Sequence, residues 1–341
     1  MKNKPLGEKQ TRRDFLGTSA VLATGAFLPF SKSYGNSKHV TDSSAIQRSS
    51  ALNSNFGGVQ IGAITYSFRD LEGGLEATLK ACVDAGLSSV ELMGTGVEDY
   101  LGAPANPIRR WPSREKPFSD DERSQLEKYR NELKEWRKTH GTIDKYVALR
   151  KKFNDAGVNI HIYKWTAGNS DEELDYSFQV AKALGAIGIT TELNEENARL
   201  IGPAAERNGM YSILHNHFQF AEEGFDVDKL LAYSPANMLN FDVGHYFGST
   251  GLNPADFIKK YHKRIASIHI KDKTGKNNET EQNANQVWGQ GETPLEEVLL
   301  LIKENKWPIY CDIELEYQIA PWSSSVKEVK TCRNYCRQIL L

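Results

Sequence analysis

Residues 186–217, AIGITTELNEENARLIGPAAERNGMYSILHNH, place an amphipathic stretch between two short apolar runs. We predict strands at Ala186–Glu192 and Tyr211–His217, with a helix at Glu195–Asn208 between them. Gly209 follows that helix directly, as is typical of a helix C-terminus. A β-α-β unit of this kind joins two parallel strands through a crossover helix.

The same alternation extends from Val59 to the end of the chain. Eight strands are predicted, at Val59–Tyr66, Ser88–Met93, Val158–Tyr163, Ala186–Glu192, Tyr211–His217, Met238–Val243, Ile265–Lys271 and Trp307–Glu314. Helical patterns are found at Gly74–Ala85, Asp120–Asn154, Asp171–Leu184, Glu195–Asn208, Val227–Tyr233, Pro254–His262, Pro294–Asn305 and Ser323–Leu340. Units of about 36 residues favour a single α/β domain, a (β/α)8 TIM barrel, over residues 57–341. A doubly wound sheet is the alternative, but it requires a Gly-rich turn after the first strand, where the chain has Tyr66-Ser67-Phe68-Arg69.

Composition excludes several classes of protein. The 341 residues contain 42 Lys+Arg and 44 Asp+Glu, a net charge of −2 that argues against a nucleic-acid binder. No run approaches the roughly 20 apolar residues of a membrane span. Four cysteines are too few for a disulfide scaffold, and we assign none of them to catalysis.

The N-terminal region resembles an export signal. Thr11-Arg12-Arg13-Asp14-Phe15-Leu16 is a twin-arginine pattern, and a short, mostly small and apolar stretch follows at Thr18–Phe30. We therefore predict a twin-arginine-type signal at 1–35 and a periplasmic location. Residues 36–56, rich in Ser and Asn, are predicted to form a disordered linker.

Side chains that bind metals or transfer protons collect at the ends of the predicted strands. They are Glu91, His161, Glu192, His215, His217, Asp242, His245, His269, Lys271, Glu314 and Glu316. Because the C-terminal ends of barrel strands meet on one face, these residues are expected to become neighbours. The mixed nitrogen and oxygen donors suit one divalent ion, Mn²⁺, Zn²⁺, Co²⁺ or Mg²⁺.

Four short motifs in order make the sequence resemble the xylose isomerase-like TIM barrel superfamily, which includes sugar phosphate isomerases and epimerases, inosose dehydratase and apurinic endonucleases. The motifs are Leu214-His215-Asn216-His217, Phe241-Asp242-Val243-Gly244-His245, Ile268-His269-Ile270-Lys271-Asp272 and Asp312-Ile313-Glu314-Leu315-Glu316. The resemblance implies metal ligands at His215, Asp242, His269 and Glu314. The fifth-strand ligand is often Glu in epimerases, so His215 is a departure. We expect Lys271 to point away from the ion, because like charges repel.

The resemblance further implies a sugar isomerase or epimerase that acts through an enediolate, and the predicted export favours an unphosphorylated sugar or sugar derivative as its substrate. His161, His217 and Glu316 are the predicted acid/base residues. Substrate contacts are predicted for Glu91, Trp165, Glu192, His245, Lys271 and Trp288. The alternatives are a lyase or hydrolase of 3-keto-glycosides or keto-inositols and a non-catalytic sugar-binding barrel; DNA repair is a distant fourth.

Overall fold

The computed structural model describes residues 52–94, 96–108, 112–113 and 115–341. The predicted export signal and the predicted linker as far as residue 51 lie outside these ranges. The last residues assigned to the linker belong to the folded domain instead. Ser54 is buried and donates a hydrogen bond to the Ile61 carbonyl oxygen at 2.6 Å, and Asn55–Phe56 forms a strand.

Eight parallel strands close into a barrel, as the sequence predicts. The strands of the molecule are β1 Asn55–Phe56, β2 Val59–Ala63, β3 Ser89–Met93, β4 Asn159–Lys164, β5 Gly188–Glu192, β6 Tyr211–His215, β7 Asn237–Asp242, β8 Ile265–Ile270, β9 Asp272–Lys273, β10 Asn285–Gln286 and β11 Tyr310–Ile313. The sheet order is β1-β2-β11-β8-β7-β6-β5-β4-β3, with only β1 antiparallel to its neighbour. A parallel bridge between Ile64 and Glu91 joins the two ends of the parallel set.

Helices cover the outside of the barrel. They are α1 Gly74–Ala85, α2 Val97–Tyr100, α3 Asp120–Thr139, α4 Ile143–Asp155, α5 Asp171–Leu184, α6 Glu195–Arg207, α7 Val227–Ala232, α8 Val243–Thr250, α9 Pro254–Tyr261, α10 Leu295–Asn305 and α11 Ser325–Leu340. The main apolar core lies between these helices and the strands, and a small cluster of Ile162, Ile213 and Ala266 fills part of the barrel interior. None of the helices in the described residues is long and apolar enough to cross a membrane.

The helices differ from the predicted ones at 120–154 and after β7. The pattern at 120–154 forms two helices, because the chain turns at Gly141, where an added Cβ would lie 2.9 Å from the Arg137 Cα. Helix α8 was not predicted. It begins directly after Asp242, whose side chain caps it by accepting the His245 backbone N–H at 2.7 Å.

A bulge in β4 changes which side chains face the interior. The pairing with β3 shifts between Val90 and Glu91, so that Val90 lies opposite Ile160 while Glu91 lies opposite Ile162. His161 is the extra residue, and it reaches into the barrel to contact groups on both β3 and β11.

A loop excursion follows β8 and is closed at its base by one carboxylate. Asp272 accepts backbone N–H groups from Gly289 and Gly291 at 2.8 and 2.9 Å and from Thr293 at 3.2 Å. Strands β9 and β10 pair inside the excursion. Asp272 therefore fixes the two ends of the segment together and is not turned toward the barrel axis as a ligand.

Candidate metal centre and the surrounding mouth

Four side chains converge at the C-terminal end of the barrel. His215 ends β6, Asp242 ends β7, His269 lies in β8 and Glu314 follows β11. All four are buried, and one donor atom from each lies within 4.8 Å of the others. The convergence follows from the sheet order, because these four strands are consecutive neighbours.

Glu91 orients His269 across the barrel. His269 Nε2 lies 2.7 Å from Glu91 Oε2, while its Nδ1 lies 3.1 Å from Glu314 Oε2. The Asn240 side-chain amide donates to the same Glu91 oxygen at 2.9 Å. Burial disfavours the charged imidazole, but the Glu314 and Glu91 carboxylates outweigh it and raise the pKa of His269 well above its usual value. Glu91 thus lies below the mouth as a partner of His269, and not at the substrate position that the sequence suggested.

His215 is neutral, whereas Glu314 is ionised. Burial, reinforced by the charges of His269 and Lys164, lowers the pKa of His215 well below its usual value, so the ring is neutral. Burial opposes ionisation of Glu314, but Lys271 and His269 outweigh it and hold the pKa of Glu314 well below normal. A neutral imidazole and an ionised carboxylate are the forms that bind metals.

Asp242 is held in place by backbone contacts. Its Oδ1 accepts the His245 N–H, and its own N–H donates to Asn216 Oδ1 at 2.9 Å. Burial raises the pKa of Asp242, and the charge of Lys271 acts in the opposite direction. The remaining oxygen, Oδ2, accepts no hydrogen bond of normal geometry among the described residues, although Lys271 Nζ lies 3.0 Å away.

Lys271 points into the cluster, so the expectation that it points away is wrong. Its ammonium nitrogen lies 2.7 Å from Glu314 Oε2, 2.6 Å from Glu316 Oε2 and 2.9 Å from His245 Nε2. Mutual repulsion of the carboxylates favours a cation among them, and this attraction outweighs the cost of burying the amine. Burial and the Lys271 charge lower the pKa of His245 to about 2, so His245 is neutral and accepts the lysine N–H.

A second acid/base pair lies on the β5–β6 side of the mouth. His217 Nε2 lies 2.9 Å from Glu192 Oε2, and Lys164 Nζ lies 3.0 Å from Glu192 Oε1. Burial opposes ionisation of Glu192, but the hydrogen bond from His217 and the Lys164 charge outweigh it and lower its pKa to about 2. The His217 side chain is 42% exposed, so this pair is open to solvent and to a substrate.

His161 lies away from the metal cluster, contrary to its predicted catalytic role. Its Nδ1 lies 2.8 Å from Ser89 Oγ and its Nε2 2.9 Å from Asp312 Oδ2, and all three residues are buried. The ring stacks on Tyr310 with centroids 4.0 Å apart. Both ring nitrogens are already engaged, so His161 has neither a free nitrogen nor access to the mouth.

The two predicted tryptophan contacts differ in position. Trp165 lies at the rim, where the Arg137 guanidinium is 5.1 Å from its ring and Gly94 leaves room for it. Trp288 is buried in the main core with its ring 5.9 Å from that of Tyr335 on α11. Trp288 is therefore a core residue, and not the substrate contact that was predicted.

Three residues of this region were not singled out by the sequence. They are Lys164, Asn240 and Phe218. Phe218 is half exposed, and its ring lies 5.0 Å from that of His245. An exposed aromatic directly after the His-Asn-His motif was the only available signal. The contacts of Lys164 and Asn240 join residues on different strands and left no local pattern.

The four buried side chains fit a divalent cation. They offer two imidazole nitrogens and carboxylate oxygens, a donor set that transition metals accept. His215 Nδ1 is buried without a hydrogen-bond partner among the described residues, so this nitrogen can serve as a ligand without breaking an existing bond.

The fold has well-matched structural relatives. A xylose isomerase domain protein from Alicyclobacillus acidocaldarius superposes with a TM-score of 0.58 over 83% of this chain and 98% of its own, at 13% identity. The chain has the xylose isomerase-like barrel fold. The IolI protein, solved with a bound zinc atom, superposes with a TM-score of 0.54 over 83% of this chain and 98% of its own, at 12% identity.

Sequence similarity is more limited than structural similarity. No family model matches the chain. An inosose dehydratase from Clostridium beijerinckii is 28% identical over 141 residues, which is 38% of this chain and 44% of the relative. The matching segments cover between 25% and 46% of the length of the curated relatives.

Proposed function

We propose that the protein is a divalent-metal-dependent lyase that removes a leaving group β to the carbonyl of a cyclic keto-sugar or keto-inositol. The similarity to inosose dehydratases favours this elimination chemistry over the isomerase or epimerase reading that the sequence placed first. The observation that carries the proposal is the buried four-residue cluster with two further acid/base pairs at the same mouth, His217 with Glu192 and Lys271 with Glu316.

The residue at the fifth barrel strand argues against the mechanism of related epimerases. Epimerases of the superfamily that the sequence resembles often have Glu at this ligand position, and they use two glutamates as the acid/base pair. Here the strand presents His215, which is buried and neutral. His215 supplies a ligand but no carboxylate base, so the proton acceptor has to come from elsewhere.

His217 is the best-placed base. When its Nε2–H donates to Glu192, Nδ1 is left to accept the proton from the carbon next to the substrate carbonyl. The ionised Glu192 then stabilises the imidazolium that forms, as carboxylates do beside catalytic histidines. A divalent cation bound by the cluster would polarise the carbonyl and stabilise the negative charge that develops on its oxygen.

Lys271 and Glu316 follow β8 and β11, with His245 between them and His217, whose ring is 4.9 Å from that of His245. We assign to them the protonation of the leaving group. Lys271 Nζ lies 2.6 Å from Glu316 Oε2, so a proton can pass between the two side chains. The electron pair of the broken C–H bond forms the new C=C bond, and the C–O bond to the leaving group breaks. Water or an alcohol leaves with the donated proton, and the reaction needs no oxidant or reductant.

The exposed Phe218 and the partly buried Trp165 supply an aromatic surface for the sugar ring. Phe218 lies beside His217 and His245, and Trp165 lies at the rim above β4. Aromatic faces pack on the apolar faces of carbohydrate rings. A small-molecule carbohydrate derivative is therefore the proposed substrate.

The test is product analysis with the metal-loaded protein. Inososes and 3-keto-glucosides are incubated with it, and the conjugated enone and the released water or alcohol are followed by ultraviolet absorbance and mass spectrometry. We expect elimination, with a loss of about 100-fold or more in His217→Ala. Interconversion of sugars with no loss of mass would instead support the isomerase, which remains the second candidate because Glu316 provides a second acid/base group.

We also propose export to the periplasm through the twin-arginine pattern at Arg12 and Arg13. Changing both to Lys is expected to leave the protein in the cytoplasm, as judged by cell fractionation. Unchanged periplasmic recovery of the double variant would contradict this proposal.

A further inference from the structure

Lys271 occupies a position that conflicts with a metal ion. Its Nζ lies 3.0 Å from Asp242 Oδ2 and 2.7 Å from Glu314 Oε2, and both residues belong to the proposed ligand set. The lysine is 2% exposed, so water does little to screen its charge from these oxygens. The two oxygens that an ion would need are therefore already paired with an ammonium group.

The same ammonium has a second set of partners farther from the imidazole ligands. Glu316 Oε2 lies 2.6 Å away and His245 Nε2 lies 2.9 Å away. Neither residue belongs to the four-residue cluster, and the Glu316 side chain is 21% exposed. Lys271 can release the inner carboxylates and still keep an ion pair and a hydrogen bond.

We propose that Lys271 is an internal competitor of the metal. Its ammonium and a divalent cation claim the same oxygens of Asp242 and Glu314, so the lysine lowers metal affinity, and metal binding moves the ammonium onto Glu316. The argument is electrostatic: two cations at the same buried oxygens repel each other strongly in a medium of low polarisability. This inference rests on the proposed metal-dependent function.

The deciding experiment measures metal affinity rather than turnover. Zn²⁺ is titrated by calorimetry into metal-free wild type and into Lys271→Met, which keeps an unbranched side chain as far as Cε and removes the ammonium group. We expect binding to tighten by about tenfold or more, because the metal no longer displaces an ammonium group. Unchanged or weaker binding would overturn the inference, since it would mean that Lys271 only positions the carboxylates.

Lys273→Met is the matched control. Lys273 is also buried, but its Nζ bonds to Asn285 Oδ1 at 3.0 Å, and no carboxylate of the described chain lies within 4.0 Å of it. Removing this charge should change Zn²⁺ affinity by less than about threefold, because no shared oxygen is involved. An equal gain in both variants would show a general field effect and would overturn direct competition.

Glu316→Gln tests the same inference from the other side and remains decisive if Lys271→Met does not fold. Without the outer carboxylate the ammonium is held more firmly on Asp242 and Glu314, so Zn²⁺ should bind more weakly. Tighter binding in Glu316→Gln would contradict the inference. Circular dichroism of the metal-free variants verifies folding.

The titrations also distinguish the inference from the proposed function. A wild type that binds no divalent ion would refute the proposed function. A wild type that binds Zn²⁺, together with a Lys271→Met variant whose affinity does not increase, would refute the competition alone.

Discussion

The barrel interior contains two buried groups of histidine and carboxylate that differ in the partners of their histidines. In the lower group, His161 is bonded through both ring nitrogens, to Ser89 and to Asp312. In the upper group, His215 Nδ1 has no hydrogen-bond partner in the described chain, and His269 Nδ1 lies 3.1 Å from Glu314, itself one of the proposed ligands. Burial and residue type are the same in the two places. The candidate ligands differ from the structural histidine because two imidazoles and two carboxylates come within 4.8 Å of one another.

Charge separates the two groups as well. The upper group brings two carboxylate ligands together with Lys271, whereas the lower group has a single carboxylate with a single imidazole. Carboxylates gathered at one point repel one another and favour a cation between them. The lower group gains nothing from a metal ion. The comparison predicts that substitutions should affect metal binding in the upper group and stability in the lower one.

The largest effect on metal affinity is expected for Asp242→Asn. The amide can still accept the His245 N–H and cap α8, so the change removes mainly the charge. Loss of an outer partner costs about 10–100-fold in other metal sites, so loss of a ligand charge should cost at least about 100-fold. Calorimetric titration with Zn²⁺ measures it, and wild-type affinity in this variant would rule out Asp242 as a ligand.

A smaller effect is expected for Glu91→Gln. The amide oxygen can still accept His269 Nε2–H, but the negative charge that makes the ring a better donor to a metal is lost. We expect Zn²⁺ affinity to fall by about tenfold, the lower end of the range for partners of ligating histidines. Equal affinity of variant and wild type would show that Glu91 does not act through His269.

The smallest effect on metal affinity is expected for His161→Ala. This change creates a cavity and leaves Ser89 and Asp312 without their partner, so the free energy of unfolding should fall by about 3 kcal/mol. Zn²⁺ affinity should stay within about threefold of wild type, because the groups share no contact. Urea denaturation and calorimetry give the two quantities, and loss of metal with unchanged stability would reverse the comparison.

The barrel could be predicted because each strand and helix carries its own local pattern. Apolar runs and helix-ending glycines mark the units, and the convergence of strand ends brings eleven candidate side chains to one face. The resemblance to the superfamily then selects the four that the structure brings together. The break at Gly141 was missed because the charged helical pattern continues through it. Helix α8 was missed because its start depends on the cap supplied by Asp242, a residue already assigned to the site.

The site residues whose positions were predicted wrongly were missed for a different reason than the helices. The β4 bulge directs the His161 side chain to a position where both ring nitrogens form hydrogen bonds. The position of a bulge depends on the pairing register with the neighbouring strand. Glu91 reaches His269 across the barrel, 178 residues along the chain. The orientation of Lys271 depends on the combined charge of Asp242, Glu314 and Glu316. Neither register nor combined charge is visible in a single local stretch of sequence.

The closure of the excursion at Asp272 has a mechanical consequence. Because one carboxylate binds three backbone groups at the base, a displacement of the tip is resisted there and is not passed on to β8, where His269 lies three residues before Asp272. The segment between these two fixed ends can therefore vary independently of the barrel. Its length and sequence can change, and with them the shape of the space above the barrel, while the position of the histidine stays the same.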